Sequence, residues 1–117
     1  MNPGDIHWVE FPAGAGRAQA GRRPAVVAQA ASATAALPTI LLIPLTTQFD
    51  ALRFPGTVLI ERDSSNNLRQ NSVALAFQLT AIDKRFVSGR LGAVAADKMA
   101  ELWAALDEVL GRSRGLG

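Results

Sequence analysis

Three short segments carry side chains suited to phosphate chemistry. In Gly21-Arg22-Arg23-Pro24, the proline biases the residue before it toward extended backbone, so Arg23 is held rather than free. An arginine stays protonated and presents a planar fork that grips phosphate oxygens bidentately. In Pro44-Leu45-Thr46-Thr47-Gln48, an apolar run ends in three consecutive hydrogen-bonding side chains, and the Thr46 hydroxyl could donate to the same oxygens. Asn71-Ser72-Val73 opens a third apolar stretch after a polar turn. Each segment also has an ordinary reading. Paired arginines at a strand edge are commonly solvated, and threonines or serines at strand ends commonly cap turns. His7 is the only imidazole in the chain; alternating with Ile6 and Trp8, it is expected to face solvent. Asp5 and Glu10 are the nearby carboxylates, and the sequence leaves open which group takes up a proton.

The rest of the composition narrows the chemistry. There is no cysteine and one histidine, which excludes thiol catalysis, disulfides, zinc ribbons and multi-histidine metal sites. No metal and no cofactor is expected. Of the 12 basic residues only Lys84 and Lys98 are lysines; the arginine excess fits either phosphate binding or a GC-rich coding sequence, which the many alanines and glycines also fit. With 117 residues, 49% hydrophobic and 19% charged, the chain makes one globular domain over 1–117. Met1 to Phe11 lacks the basic and apolar regions of a signal peptide. The run Ala33 to Leu45 is interrupted by Pro38 and Pro44 and falls short of the ~20 residues that span a bilayer. A soluble, cytoplasmic protein is expected, with no membrane partner.

The elements that must position these residues are mostly strands. Ile6–Phe11, Ala25–Gln29, Thr39–Leu45, Thr57–Ile60, Val73–Gln78 and Arg90–Val94 read as strands, with Thr39–Leu45 suited to burial on both faces. Pro12–Gly21 holds a proline and three glycines, the last of them Gly21, and reads as a long functional loop. Asp63–Gln70 reads as a polar turn, and Asp83–Phe86 as a short helical turn. Met99, Leu102, Trp103, Leu106 and Leu110 recur at helical spacing, predicting one amphipathic helix from Asp97 to Leu110, ended by Gly111. Closely spaced strands with turn signals between them predict a small antiparallel barrel or sandwich.

Taken together, Gly4-Asp5-Ile6-His7-Trp8-Val9-Glu10-Phe11, Gln19-Ala20-Gly21-Arg22-Arg23-Pro24, Pro44-Leu45-Thr46-Thr47-Gln48, Ser72–Leu79, Ile82–Arg85 and Leu91-Gly92 resemble, in order, the MazF/PemK (Kid) family of toxin endoribonucleases. The resemblance implies a mainly β fold with a C-terminal helix, an SH3-like (CcdB/PemK-type) antiparallel β-barrel, paired as a homodimer. It implies metal-independent cleavage of single-stranded RNA, neutralised by a cognate antitoxin. Arg23 and Thr46 fall at the family's catalytic positions; Arg17, Gln19, Arg22, Thr47, Gln48, Ser72 and Gln78 would contact RNA. The chain departs from the pattern at Ala18 and Phe77, where relatives often carry acids. Two alternatives are a CcdB-like gyrase-poisoning toxin and a catalytically inactive RNA- or antitoxin-binding barrel. For the first, Trp103 is expected in the core rather than near a functional tail.

Overall fold

The computed structural model describes residues 1–12 and 21–112. Within them, strands β1 (Asp5–Phe11), β2 (Gly21–Val27), β3 (Thr39–Thr46), β4 (Thr57–Ile60), β5 (Ser72–Leu75), β6 (Thr80–Asp83) and β7 (Val87–Ala93) accompany helices α1 (Ala31–Ala36) and α2 (Ala96–Leu110). The strands run in the order β4-β5-β3-β2-β1-β7, with β6 added onto β3, and every pairing is antiparallel. β3 organises the sheet. Its first half, Thr39–Leu42, pairs with β6, and its end, Leu45–Thr46, pairs with β5. The sheet therefore bends along β3 into a barrel-like form, with β4 and β7 at its two ends.

The apolar run of β3 is buried on both faces, as its composition predicts, except at Leu41, which is 36% exposed. Ile40 and Leu42 join Val9, Phe11, Ala25 and Val27 in one cluster. Ile43 and Leu45 alternate into another with Val26, Val58, Ile60 and the α2 residues Met99, Leu102 and Leu106. Burying such side chains contributes about 1.5–3 kcal/mol each relative to exposure, so the two clusters fix where β2 and β3 lie. α2 carries Asp97 in its first turn and ends at Gly111, whose φ of 71° supplies the left-handed cap, as expected for a glycine after a last turn. Among the described residues no helix is long and apolar enough to cross a membrane.

Several expectations are corrected. β2 begins at Gly21 and ends at Val27, because β1 supplies partners down to Phe11↔Gly21. β5 spans Ser72–Leu75 and Ala76–Gln78 forms a single 3-10 turn, so the strand predicted to run to Gln78 ends three residues earlier. α1 and β6 were not expected; α1 is an alanine-rich ASATAA segment with no large apolar side chain and so no helical periodicity to read. Trp103 is 41% exposed and Leu110 63%. Only three of the five periodic α2 residues reach the core, so the apolar stripe is narrower than its spacing implies. His7 is buried (7% exposed), not solvent-facing: its Nδ1–H donates to the Ser88 carbonyl at 2.8 Å.

Candidate functional site

The site begins where β2 and β3 part. Their ladder carries Val27↔Leu42, Val26↔Ile43 and Ala25↔Pro44, and goes no further. Pro24 has no N–H to donate, and prolines end ladders or sit at their edges. Beyond that pair, Gly21–Pro24 stays on β1 while Leu45–Thr46 follows β5, and a groove of about 640 Å³ opens between them. That volume is in the range of small-ligand clefts, room for one or two nucleotide units rather than a folded nucleic acid. Continuing the register two places past Ala25↔Pro44 sets Arg23 opposite Thr46. The Arg23 guanidinium reaches across this gap, with Nη1 donating to the Leu45 carbonyl at 3.5 Å.

The two residues are differently held. Thr46 is buried (8% exposed), and its Oγ1 accepts from the Gln48 N–H at 3.2 Å. The acceptance fixes the rotamer and leaves the hydroxyl proton for a second partner. Arg23 is half-buried, and desolvation lowers its pKa, yet an arginine remains a cation at any physiological pH. A cation that has given up part of its water interacts more strongly with an anion brought to it.

Of the residues expected to meet substrate, Arg22, Arg23, Thr46, Thr47, Gln48 and Ser72 line the same groove. Ser72 is buried and donates to the Gln70 carbonyl at 3.1 Å, which braces the wall. The exposed Arg22 lies 4.4 Å above the Trp8 ring, a cation–π contact that presents a flat charged face beside Arg23. Gln78 is not brought to the groove. It sits in the 3-10 turn after β5, and its Oε1 is buried without a hydrogen-bond partner among the described residues. Phe77, where relatives often carry an acid, packs edge-on against Phe54 with ring centroids 5.6 Å apart. Arg17, Ala18 and Gln19 lie outside the described residues.

Sequence reading missed part of the groove lining. Asn67, Arg69 and Gln70, from the segment taken only as a polar turn, also line the groove. Their distance from Arg23 along the chain hid that they share its groove. Three arginines and no Asp or Glu line it among the described residues, so the site is far more positive than the net charge of +2 suggests, and clefts lined by one sign of charge concentrate the opposite one. The three groups considered as proton acceptors lie elsewhere. His7 is buried beside Ser88, Asp5 is ion-paired to Arg90 at 3.3 Å, and the exposed Glu10 pairs in register with Arg22 on β1. Among the described residues no group of three or more His, Asp or Glu side chains is placed to hold a metal ion.

The bent antiparallel barrel thus carries, at its parted strand ends, a positively charged groove suited to an anionic ligand. Residues 2–110 match the family described as PemK-like, MazF-like toxin of type II toxin–antitoxin system. The chain is 30% identical over 111 residues to Endoribonuclease MazF of Staphylococcus saprophyticus, covering 95% of this chain and 92% of the relative. The crystal structure of MazF from Deinococcus radiodurans superposes with a TM-score of 0.80 at 28% identity, over 95% of this chain and 96% of that one. A MazE–MazF structure from the same organism gives a TM-score of 0.74 at 25% identity, over 97% of each chain. The chain belongs to the PemK-like, MazF-like toxin family.

Proposed function

We propose that this protein is an endoribonuclease toxin that cleaves single-stranded RNA at the Arg23–Thr46 groove through the substrate's own 2′-hydroxyl. The observation that carries this reading is that Arg23 and Thr46 line one groove together with Arg22 and Arg69, with no carboxylate among the described lining residues. In the reaction the 2′-oxygen attacks the adjacent phosphorus and the P–O5′ bond breaks. The 2′-hydroxyl loses its proton and the departing 5′-oxygen gains one, leaving a 2′,3′-cyclic phosphate and a free 5′-hydroxyl. Negative charge builds on the non-bridging oxygens of the five-coordinate phosphorus. Arg23 meets that charge with its guanidinium and Thr46 with its hydroxyl proton; donors placed where charge develops lower the barrier most. Arg22, Thr47 and Gln48 extend the grip along the strand.

The relatives support the wider setting. They are named endoribonucleases, and one solved neighbour is a MazE–MazF complex. On this reading the chain acts in the cytoplasm as a homodimer and is silenced by a cognate antitoxin, whose acidic segment would compete with RNA for Arg22 and Arg23.

Cleavage of a long mixed RNA is expected to persist in excess EDTA, because the groove's own donors carry the charge stabilisation and the described residues offer no donor set of metal-site type. The product 3′ ends, read by mass spectrometry, should be 2′,3′-cyclic phosphates. Activity lost in EDTA and restored by Mg²⁺ would count against the mechanism.

A further inference from the structure

The Asp63–Gln70 segment, which lines the groove together with Arg23, is built with more care than a connecting turn requires. Asp63 Oδ1 accepts from the Ser65 and Asn66 N–H groups at 2.8 and 2.7 Å. Asn66, 1% exposed, ties the loop internally: its Oδ1 accepts from the Asp63 and Leu68 N–H groups, and its Nδ2 donates to the Glu61 carbonyl. The loop is also fastened to β7. Asn67, in the left-handed region with φ of 55°, donates from Nδ2 to the Leu91 carbonyl at 2.8 Å, and the Ala93 N–H donates to the Ser65 carbonyl at 3.1 Å. At Gly92 a Cβ would stand 2.4 Å from the Ser65 carbonyl oxygen, so only glycine lets the loop lie this close. Leu68 anchors it from below, buried in the α2-side core.

The consequence is a pinned backbone that leaves Arg69 and Gln70 exposed on the groove. Arg53, Arg85, Arg90 and Arg112 each have a carboxylate partner; Arg69 has none among the described residues. A fixed loop presenting an arginine and an amide side chain pays little ordering cost when it binds.

Building on the ribonuclease reading, we propose that Arg69 and Gln70 are specificity-determining residues that select a purine, guanine foremost, beside the cleaved bond. Within the same groove the phosphate already has its grip in Arg23 and Thr46. The group left to fill the space toward Arg69 is a base, and single-stranded RNA exposes base edges that a duplex hides. An arginine fork matches the O6 and N7 acceptors of guanine, and the Gln70 amide can donate or accept at the same edge. The Arg22 face stacked on Trp8 offers the plane on which a base can lie.

The test uses the full-length protein in single-turnover cleavage of short RNAs that differ at the flanking position: guanosine, 7-deazaguanosine (which lacks only the N7 acceptor), adenosine, or a pyrimidine. Cleavage ends from a long mixed RNA identify that position first. The wild type should favour guanosine and lose rate with 7-deazaguanosine. Arg69→Ala should slow the guanosine substrate roughly 10- to 100-fold, slow the pyrimidine substrate little, and no longer distinguish guanosine from 7-deazaguanosine. Circular dichroism should show an unchanged fold, since Arg69 is exposed. An equal slowing on every substrate, or a 7-deazaguanosine effect kept in Arg69→Ala, would overturn the proposal and make Arg69 a phosphate contact. Wild-type cleavage indifferent to the flanking base would overturn the base wall alone, whereas RNA left uncut by the wild type would overturn the ribonuclease reading with it.

Discussion

Arg23→Ala is expected to slow single-turnover cleavage of a short labelled RNA by at least 10²–10³-fold, on the order of 3–4 kcal/mol, by comparison with loss of one oxyanion-hole donor. The loss should exceed that of a neutral donor, because the change removes a full charge and weakens phosphate binding as well. The fold should survive. Arg23 is half-buried at the parted end of β2, its contact with the Leu45 carbonyl is long at 3.5 Å, and neither apolar cluster includes it. Arg22→Ala is the control. Arg22 is exposed and stacked on Trp8, so its removal should weaken RNA binding mildly and in a salt-dependent way. Folded Arg23→Ala that cuts within a few-fold of wild type would remove Arg23 from the reacting centre.

Thr46→Val isolates one hydrogen bond. Valine keeps the β-branched shape at the end of β3, and only the hydroxyl is lost. The folded state loses the Oγ1 that accepts from the Gln48 N–H, a cost of about 1 kcal/mol for a single hydrogen bond that thermal unfolding would show as a small shift. The effect on cleavage should be far larger, about 10²–10³-fold. If Arg23 and Thr46 stabilise the same transition state, the double variant should lose less than the product of the two single losses. Fully multiplicative losses would mean that the two residues act on separate steps.

The sequence made the site more legible than the fold around it. Arg23 stood out because Pro24 follows it, Thr46 because an apolar run ends there in three hydrogen-bonding side chains, and the family resemblance singled out both; the β2–β3 ladder ends at Ala25↔Pro44, just before the groove. The strands that pack on two cores, β2 and β3, were visible in unbroken apolar runs. What stayed hidden lacked a local signal. β6 (Thr80–Asp83) has one buried residue, Ile82, and owes its strand to pairing with β3 rather than to its own pattern. α1 is held by a tertiary device, Gln29 Nε2 donating to Thr34 Oγ1 at 3.1 Å and to the Thr39 carbonyl at 3.0 Å. Trp103 matched the helical period yet lies at the margin of the α2 stripe, since spacing gives a face but not its width. Gln78 follows the strand motif but is carried off by the 3-10 turn at Ala76–Gln78. Arg69 and Gln70 read as turn residues because a loop's own hydrogen bonds say nothing about which distant strand it faces.

The claim that the substrate's 2′-hydroxyl does the cutting at this groove has a direct measurement. Two short RNAs of identical sequence are compared in excess chelator under single-turnover conditions, one all-ribose and one carrying a single 2′-deoxyribose on the 5′ side of the cleaved bond. Only the nucleophile differs between them, since the phosphate, the bases and every contact to Arg23 and Thr46 are kept. The all-ribose strand should be cut to a 2′,3′-cyclic phosphate, while the substituted strand binds comparably and stays intact at that bond. Cleavage of the deoxy-substituted bond at a rate near that of the all-ribose strand would contradict the account, because the attacking oxygen would then have to come from elsewhere.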